Sequence, residues 1–396
     1  MNLFEVIIMN ICFISPTIGT SGGRERVTVN IANAFASRGD SVTFIIISNQ
    51  LDKPYYELDE KVELKLLSDG YEYSMARKVA RKVCELTNWN LPPDIARGIF
   101  YSKKQVKSLT KLINDNYYDA VVAINGDLSL LLTQVKKEDL NNKKIKTIGW
   151  FHNTYNAYFK TKGKYCFGRL CLAKRELKKL DFVVSLTKKD ADILAANLSC
   201  NAINIYNPLS FSTDEISTVS NNKLLFIGRM SMEQKGIDLL IDVLNMIKNQ
   251  NKYPTWKAVL VGDGEDKKEI ERRIKNSKLE DFVSLVGAHT NVIPYYLDAD
   301  ILLLTSRWEG FGLVVTEAFE CGVPVVSFKN DGPDEIIADG VNGFIVDRFD
   351  VDKFAKKVMY LMDHESCRRR MSIDARKRAD DFSIEMIIKK WREICK

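Results

Sequence analysis

The chain has 396 residues, 45% of them hydrophobic, and carries 58 Lys and Arg against 52 Asp and Glu, for a net charge of +6. That length exceeds what one hydrophobic core usually fills, and the apolar content suffices for two, so a two-domain globular protein is expected. Eight scattered cysteines without a Cys-x-x-Cys pair, and only three histidines, exclude a disulfide framework and a Cys/His metal site and read as a cytosolic chain.

The first fourteen residues are apolar but interrupted by Glu5 and Asn10. They lack a basic leader and a cleavage site, so they read as a first core strand and not as a signal peptide. Either Met1 or Met9 can serve as initiator, since the sequence from Met9 to Ser15 already reads as a strand running into a loop. Nothing approaches ~18 consecutive apolar residues, so no membrane span is expected. Short Val- and Ile-rich runs then alternate with turns and helix-period sequence. They fall at residues 7–14, 42–47, 120–124, 145–150 and 182–185, and again at 223–227, 256–261, 283–286, 301–305, 324–327 and 344–346. Such continuous apolar strands alternating with helices imply parallel sheets covered on both faces. The expected fold is α/β, with two doubly wound, Rossmann-like domains over 1–207 and 223–381 joined by a polar, aperiodic linker over 208–222. Ligands of such sheets bind outside the carboxyl ends of the strands, so the two domains are expected to face one another across a cleft.

Charge divides unevenly: residues 1–207 hold 30 Lys and Arg against 21 Asp and Glu, and the remainder holds 28 against 31. The basic residues cluster between Arg77 and Lys111 and between Lys160 and Lys179. Each Lys or Arg near an anionic bilayer contributes roughly 1 kcal/mol, so these stretches suit anionic lipid or another polyanion; a solvated face is the alternative.

Several motifs follow strands. Gly22-Gly23 closes the loop after the first strand and leads into a helix, but it lacks a full Gly-x-Gly-x-x-Gly or a phosphate-loop Lys, which makes ATP or dinucleotide binding a poor fit. His152 ends a strand of the basic half, where active-site groups gather, though a lone histidine is often a buried structural one. Gly228-Arg229 and Lys235-Gly236 bracket the first turn after the linker, and their cations suit a diphosphate, Arg by forked bonds and Lys as a point charge. Gly262-Asp263-Gly264 has the form of a tight turn, and no second Asp stands beside it to bind metal. Glu309 and Glu317, with seven residues between them, flank Gly310-Phe311-Gly312-Leu313. Two glycines before a helix expected to begin near Leu313 allow a phosphate to approach unpaired N–H groups at the positive end of the helix dipole.

Taken in order, these residues, with Glu25, Asn207-Pro208, Gly322-x-Pro324 and Glu335-Ile336-Ile337, resemble the retaining glycosyltransferases of family 4, which have the GT-B fold. The resemblance spans nearly the whole chain. It implies that Arg229 and Lys235 contact a donor diphosphate, Glu317 the ribose hydroxyls and Glu309 the transferred sugar. It also places Gly228, Gly262, Gly310, Phe311, Gly312 and Leu313 around the donor, His289 and Asn291 near the base, and His152, Gly22 and Gly23 on the opposite domain. Residues 382–396 are expected to form a last helix returning to the first domain. One departure is Asp331-Gly332-Pro333-Asp334, where the family commonly has Gly-Gly.

The expected activity is therefore retaining, metal-independent transfer of a hexose or N-acetylhexosamine from a UDP-sugar to a saccharide hydroxyl. The nucleotide sugar is a co-substrate, and neither a cofactor nor a nucleic-acid partner is expected. A lipid-linked acceptor at the inner face of the cytoplasmic membrane, as in O-antigen, capsule or lipopolysaccharide assembly, follows from the basic first half. An epimerase or phosphorylase of the same fold, and a non-catalytic nucleotide-sugar-binding protein, are the alternatives.

Overall fold

The computed structural model describes residues 8–68, 75–87 and 91–396. It divides into two units, Met1–Pro208 with Ile384–Lys396, and Leu209–Ser383.

The first unit is built on a seven-stranded parallel sheet of β1 (Asn10–Ser15), β2 (Ser41–Ile46), β3 (Glu63–Leu66), β4 (Ala120–Ile124), β5 (Lys146–Trp150), β6 (Phe182–Ser185) and β7 (Ala202–Asn204). The strand order is β3-β2-β1-β4-β5-β6-β7. The central strands are buried on both faces, as their unbroken apolar sequence requires; Phe13 of β1 lies in register with Phe44 of β2 and Val122 of β4. The first expected strand begins later than its apolar sequence, because Met9 N–H is taken by Asp40 Oδ1 and pairing starts at Asn10. The part of that expectation over residues 1–7, including the choice of Met1 as start, lies outside the described residues. β3 and β7 lack an apolar run, since each forms an edge of the sheet and carries partly exposed polar residues.

The second unit holds six parallel strands, β8 (Lys223–Ile227), β9 (Lys257–Val261), β10 (Val283–Gly287), β11 (Ile301–Leu304), β12 (Val325–Phe328) and β13 (Gly343–Val346), in the order β10-β9-β8-β11-β12-β13. The polar stretch 209–222 belongs to this unit and is bonded along it. Thr213 N–H donates to Glu320 Oε1 at 2.9 Å, Ser217 N–H to Cys321 O at 2.8 Å, and Asn221 N–H to Asp300 Oδ1 at 3.1 Å.

The last helix, Ile384–Cys395, packs into the first unit. Its apolar stripe buries Ile387, Ile388, Trp391 and Cys395. The Trp391 ring meets Trp150 of β5 edge-on, with centroids 4.6 Å apart, and Arg392 pairs with the buried Asp40. Trp391→Ala removes a fully buried ring and is expected to cost the first unit about 3–5 kcal/mol. A fall in its urea unfolding midpoint checks this; an unchanged midpoint would deny the helix a structural role.

Candidate active site

In the second unit the strand order reverses between β8 and β11, the position at which a doubly wound sheet opens a crevice at its carboxyl edge. The loops leaving these two strands are bonded to each other. After β8, Ser231 caps a short helix, Met232–Lys235, and Gly236 follows at φ 62°. A Cβ on Gly236 would lie 2.2 Å from Thr305 O, so only glycine lets this turn rest on the exit of β11. Thr305 Oγ1 donates to Lys235 O at 3.1 Å, and Arg307 N–H to Gln234 O at 2.8 Å. Arg307 also forks onto Asp238 at 2.8 and 2.6 Å. Burial alone would raise the Asp238 carboxyl, but the Arg307 bonds outweigh it and hold it below its ordinary value.

This arrangement brings Lys235 and Glu309 together. The Lys235 ammonium donates to Glu309 Oε1, and both side chains are largely buried. Ser306 Oγ donates to the same carboxylate oxygen at 2.8 Å. Asn330, buried just beyond β12, accepts from Glu309 N–H at 3.2 Å and donates to Ser306 O at 2.6 Å, pinning both ends of the loop. Glu317 lies buried within the helix Leu313–Glu320, and Tyr296 Oη donates to its Oε2 at 2.7 Å.

That helix begins as expected at Leu313, behind Gly312 at φ 90°, and no side chain caps it. Gly310 is partly exposed, while Phe311 is buried with its ring edge-on to Phe382 at 5.8 Å. A Cβ on Gly332 would lie 2.4 Å from Phe311 O, so the segment Asp331-Gly332-Pro333-Asp334 still supplies the glycine that the packing demands. Asp334 Oδ1 accepts from Asn330 N–H at 2.8 Å, which ties this segment to the Glu309 loop.

Arg229 is exposed, and its guanidinium donates to Gln234 Oε1 at 3.2 Å. Gly228 and Gly262 lie back to back, a Cβ on Gly262 falling 1.8 Å from Gly228 O. Asp263 turns to its own loop, accepting from Gly264 N–H at 2.8 Å and pairing with Lys267. His289 and Asn291 are exposed in the loop after β10, His289 against Val286 O and Tyr295, Asn291 accepting from Ile293 N–H at 3.2 Å.

In the first unit, Gly22 and Gly23 start the helix Gly23–Ala36, where buried Glu25 pairs with Arg24. His152 follows β5. Its N–H donates to Tyr158 Oη at 3.3 Å, its ring lies 4.3 Å from Trp150, and its buried Nε2 has no hydrogen-bond partner. Burial first, and the nearby Arg24 charge second, push its pKa well below the ordinary imidazole value. The ring is therefore neutral at pH 7.

Sequence alone singled out Lys235, Glu309 and Glu317 but missed Tyr296, Ser306 and Asn330. Asn330 sits at the carboxyl end of a strand, the position that singled out His152; Tyr296 gives no comparable signal.

Residues 213–378 match the family described as glycosyl transferases group 1. The second unit thus belongs to that family, and the chain is a glycosyltransferase of two Rossmann-like units. An uncharacterized glycosyltransferase of Haemophilus influenzae is 28% identical over 96% of this chain and 98% of its own. The amylovoran biosynthesis glycosyltransferase AmsD of Erwinia amylovora is 26% identical over 95% and 97%. A Campylobacter jejuni protein named as an N-acetyl-D-galactosaminyltransferase acting on a saccharide-diphospho-undecaprenol is 24% identical over 98% of each chain. Among solved structures, HepE of Anabaena in complex with UDP aligns with a TM-score of 0.72 at 19% identity, over 97% of this chain and 99% of that one. TarM of S. aureus in complex with UDP aligns at 0.73 and 16%, over 98% and 100%. These likenesses place the chain in the GT-B fold.

His152 supplies a pH test. With its folded-state pKa depressed, the unfolded chain binds the extra proton below ~6.5, so stability is lost as pH falls from about 7 toward 5. The contribution is no steeper than about 1.4 kcal/mol per pH unit. Wild type minus His152→Asn, followed by urea unfolding across this range, is expected to show that slope; a flat difference would mean the imidazole is solvated.

Proposed function

We propose that the protein transfers a hexose or N-acetylhexosamine, with retention at the anomeric carbon, from a UDP-sugar to a hydroxyl of a saccharide acceptor. The observation that carries this reading is the Lys235–Glu309 pair at the β8/β11 reversal, in the same loop as the uncapped start of Leu313–Glu320. An ammonium has three donors, so its bond to Glu309 leaves two for phosphate oxygens. Arg229, exposed on the loop after β8, adds a forked donor. Together they stabilise the negative charge that builds on the diphosphate as the sugar–oxygen bond breaks.

Glu309, held by Lys235, Ser306 and Asn330, is assigned to the sugar hydroxyls, and Glu317, fixed by Tyr296, to the ribose. Gly228, Gly262, Gly310, Phe311, Gly312 and Leu313 are assigned to donor binding, with His289 and Asn291 toward the base. His152 is assigned as a neutral hydrogen-bonding group for the donor sugar or the acceptor, beside Gly22 and Gly23. The acceptor oxygen forms its bond to the anomeric carbon on the face from which the diphosphate departs, and its proton passes to the leaving phosphate oxygen. No protein nucleophile or cofactor is assigned, and no divalent ion is required where the cationic side chains and the helix start meet the phosphate charge.

The Campylobacter relative is named for a lipid-diphosphate-linked saccharide. With the basic excess of residues 1–207, this supports a lipid-linked acceptor reached from the cytoplasmic side of the membrane in surface-polysaccharide assembly.

Thermal shift with UDP-, GDP- and ADP-sugars tests the donor, since a ligand that binds only the folded state raises the midpoint by mass action. The UDP-sugar is expected to give the largest rise; a response confined to GDP- or ADP-sugars overturns the assignment. Lys235→Ala is expected to lower kcat about 100- to 1,000-fold while the protein stays folded. EDTA is expected to leave turnover unchanged. Donor incubated without acceptor must not be converted to an epimer.

A further inference from the structure

The helix Met75–Thr87 packs on the first unit with its charged side. Arg77 Nη2 donates to Gly98 O at 2.6 Å, Arg81 lies 5.4 Å over the Phe100 ring, and Cys84 is the buried residue of the helix. Contact at Cys84 is backbone-close, for a Cβ on Gly168 would lie 2.4 Å from its carbonyl oxygen. The opposite side carries Met75, Val79, Val83 and Leu86, whose spacing of four, four and three makes one stripe. These four are 78, 57, 38 and 44% exposed, and Ile95 of the neighbouring helix Pro93–Phe100 is 54% exposed. An ordinary surface helix buries its apolar stripe and wets its charges. Here two arginines face the unit and the apolar stripe faces outward.

Cations border the stripe. Lys78 and Lys82 are exposed along one margin. Gly163 N–H donates to Glu85 O at 3.0 Å, which brings the loop carrying exposed Lys162 and Lys164 to the end of the helix at Leu86. Two basic stretches, some eighty residues apart in sequence, thus meet around one apolar strip.

We propose that this face docks on an anionic lipid bilayer, with Met75, Val79, Val83 and Leu86 entering the interfacial layer and the lysines meeting the headgroups. Amphipathic helices bind such surfaces by buried apolar area together with attraction of basic residues to anionic lipid. The strip does not suit a second copy of the chain, because one face of a thirteen-residue helix offers only about 200 Å², well below the ~800 Å² per partner of a stable interface. A soluble polyanion would engage the lysines and leave the apolar stripe wet. The surface lies in the first unit and the residues assigned to the donor diphosphate, Arg229 and Lys235, lie in the second, so vesicle binding and donor binding are separate readouts, and either can fail alone.

The experiment is co-sedimentation of the full chain with vesicles of phosphatidylcholine, with and without phosphatidylglycerol. Binding is expected only with the anionic lipid, and Val79→Asp with Val83→Asp is expected to weaken it about tenfold or more while the donor-induced thermal shift persists. Lys78→Glu with Lys82→Glu is expected to weaken binding at low salt. Independently of any destabilised variant, a nitrobenzoxadiazole label on Met75→Cys, in a Cys171→Ser background, is expected to shift its emission to the blue with anionic vesicles. Wild type that ignores anionic vesicles, an aspartate variant that binds them like wild type, or a label that stays in water each overturns the proposal. So does a dimer, seen by light scattering, that the aspartate variant dissolves.

Discussion

The second unit turns on one ion pair. Lys235 and Glu309 come from loops on two strands that are neighbours only because the sheet reverses its order there, and both side chains are largely buried. A carboxylate removed from water is tolerated only when its oxygens are satisfied, and here an ammonium and the Ser306 hydroxyl share one oxygen while Asn330 fixes the loop at both ends. The supporting contacts are correspondingly rigid: the Arg307–Asp238 fork, the Gly236 turn against Thr305, and Gly332 against Phe311. Removing one charge from such a pair costs more than the pair contributes, because the other remains buried without a partner. The pair is therefore better understood as a device for holding a cation and a carboxylate at fixed positions than as a source of stability.

Much of this was legible in the sequence, for physical reasons that vary with the residue. Buried parallel strands leave unbroken Val- and Ile-rich runs, so β4, β8 and β11 appear within a residue of their observed limits. Edge strands leave none: β3, with the sequence Glu-Leu-Lys-Leu, is half wet and alternates as a loop would. The Glu309 and Glu317 motif was visible because glycines at helix starts are chemically constrained. Ser306, Asn330 and Tyr296 were not, because their partners come from other elements and only the folded chain brings them within bonding distance. The polar composition of residues 209–222 suggested a linker, yet the Ser212 and Ser217 hydroxyls spend that polarity within the second unit, donating to Glu320 Oε1 and to Ala299 O.

The first unit shows the complementary use of burial. His152 is kept neutral by desolvation beside the tilted ring of Trp150, which in turn rests on Trp391 of the last helix. The ring thus depends on a segment more than two hundred residues later, and its unsatisfied Nε2 is the cost of packing a polar ring among aromatics. A neutral imidazole keeps one donor and one acceptor nitrogen, which suits a hydroxyl-rich ligand better than an anionic one. That is the physical ground for assigning His152 to sugar and not to phosphate.

Periodicity also has a blind side, and the Met75–Thr87 helix displays it. Met75, Val79, Val83 and Leu86 have the spacing of a core-facing stripe, and from sequence alone the lysines beside them look like a solvated margin. The pattern specifies that the two sides differ, not which one meets the protein. What decides is the partner surface: Gly98 and Phe100 offer a carbonyl and a ring face, which are suited to arginine, and Gly168 leaves room only for backbone. The arginines turn inward because their acceptors are there, and the apolar stripe is left outward and exposed. A fold that spends two guanidinium groups to hold a helix in that orientation has fixed the direction in which the hydrophobic side must find its solvent.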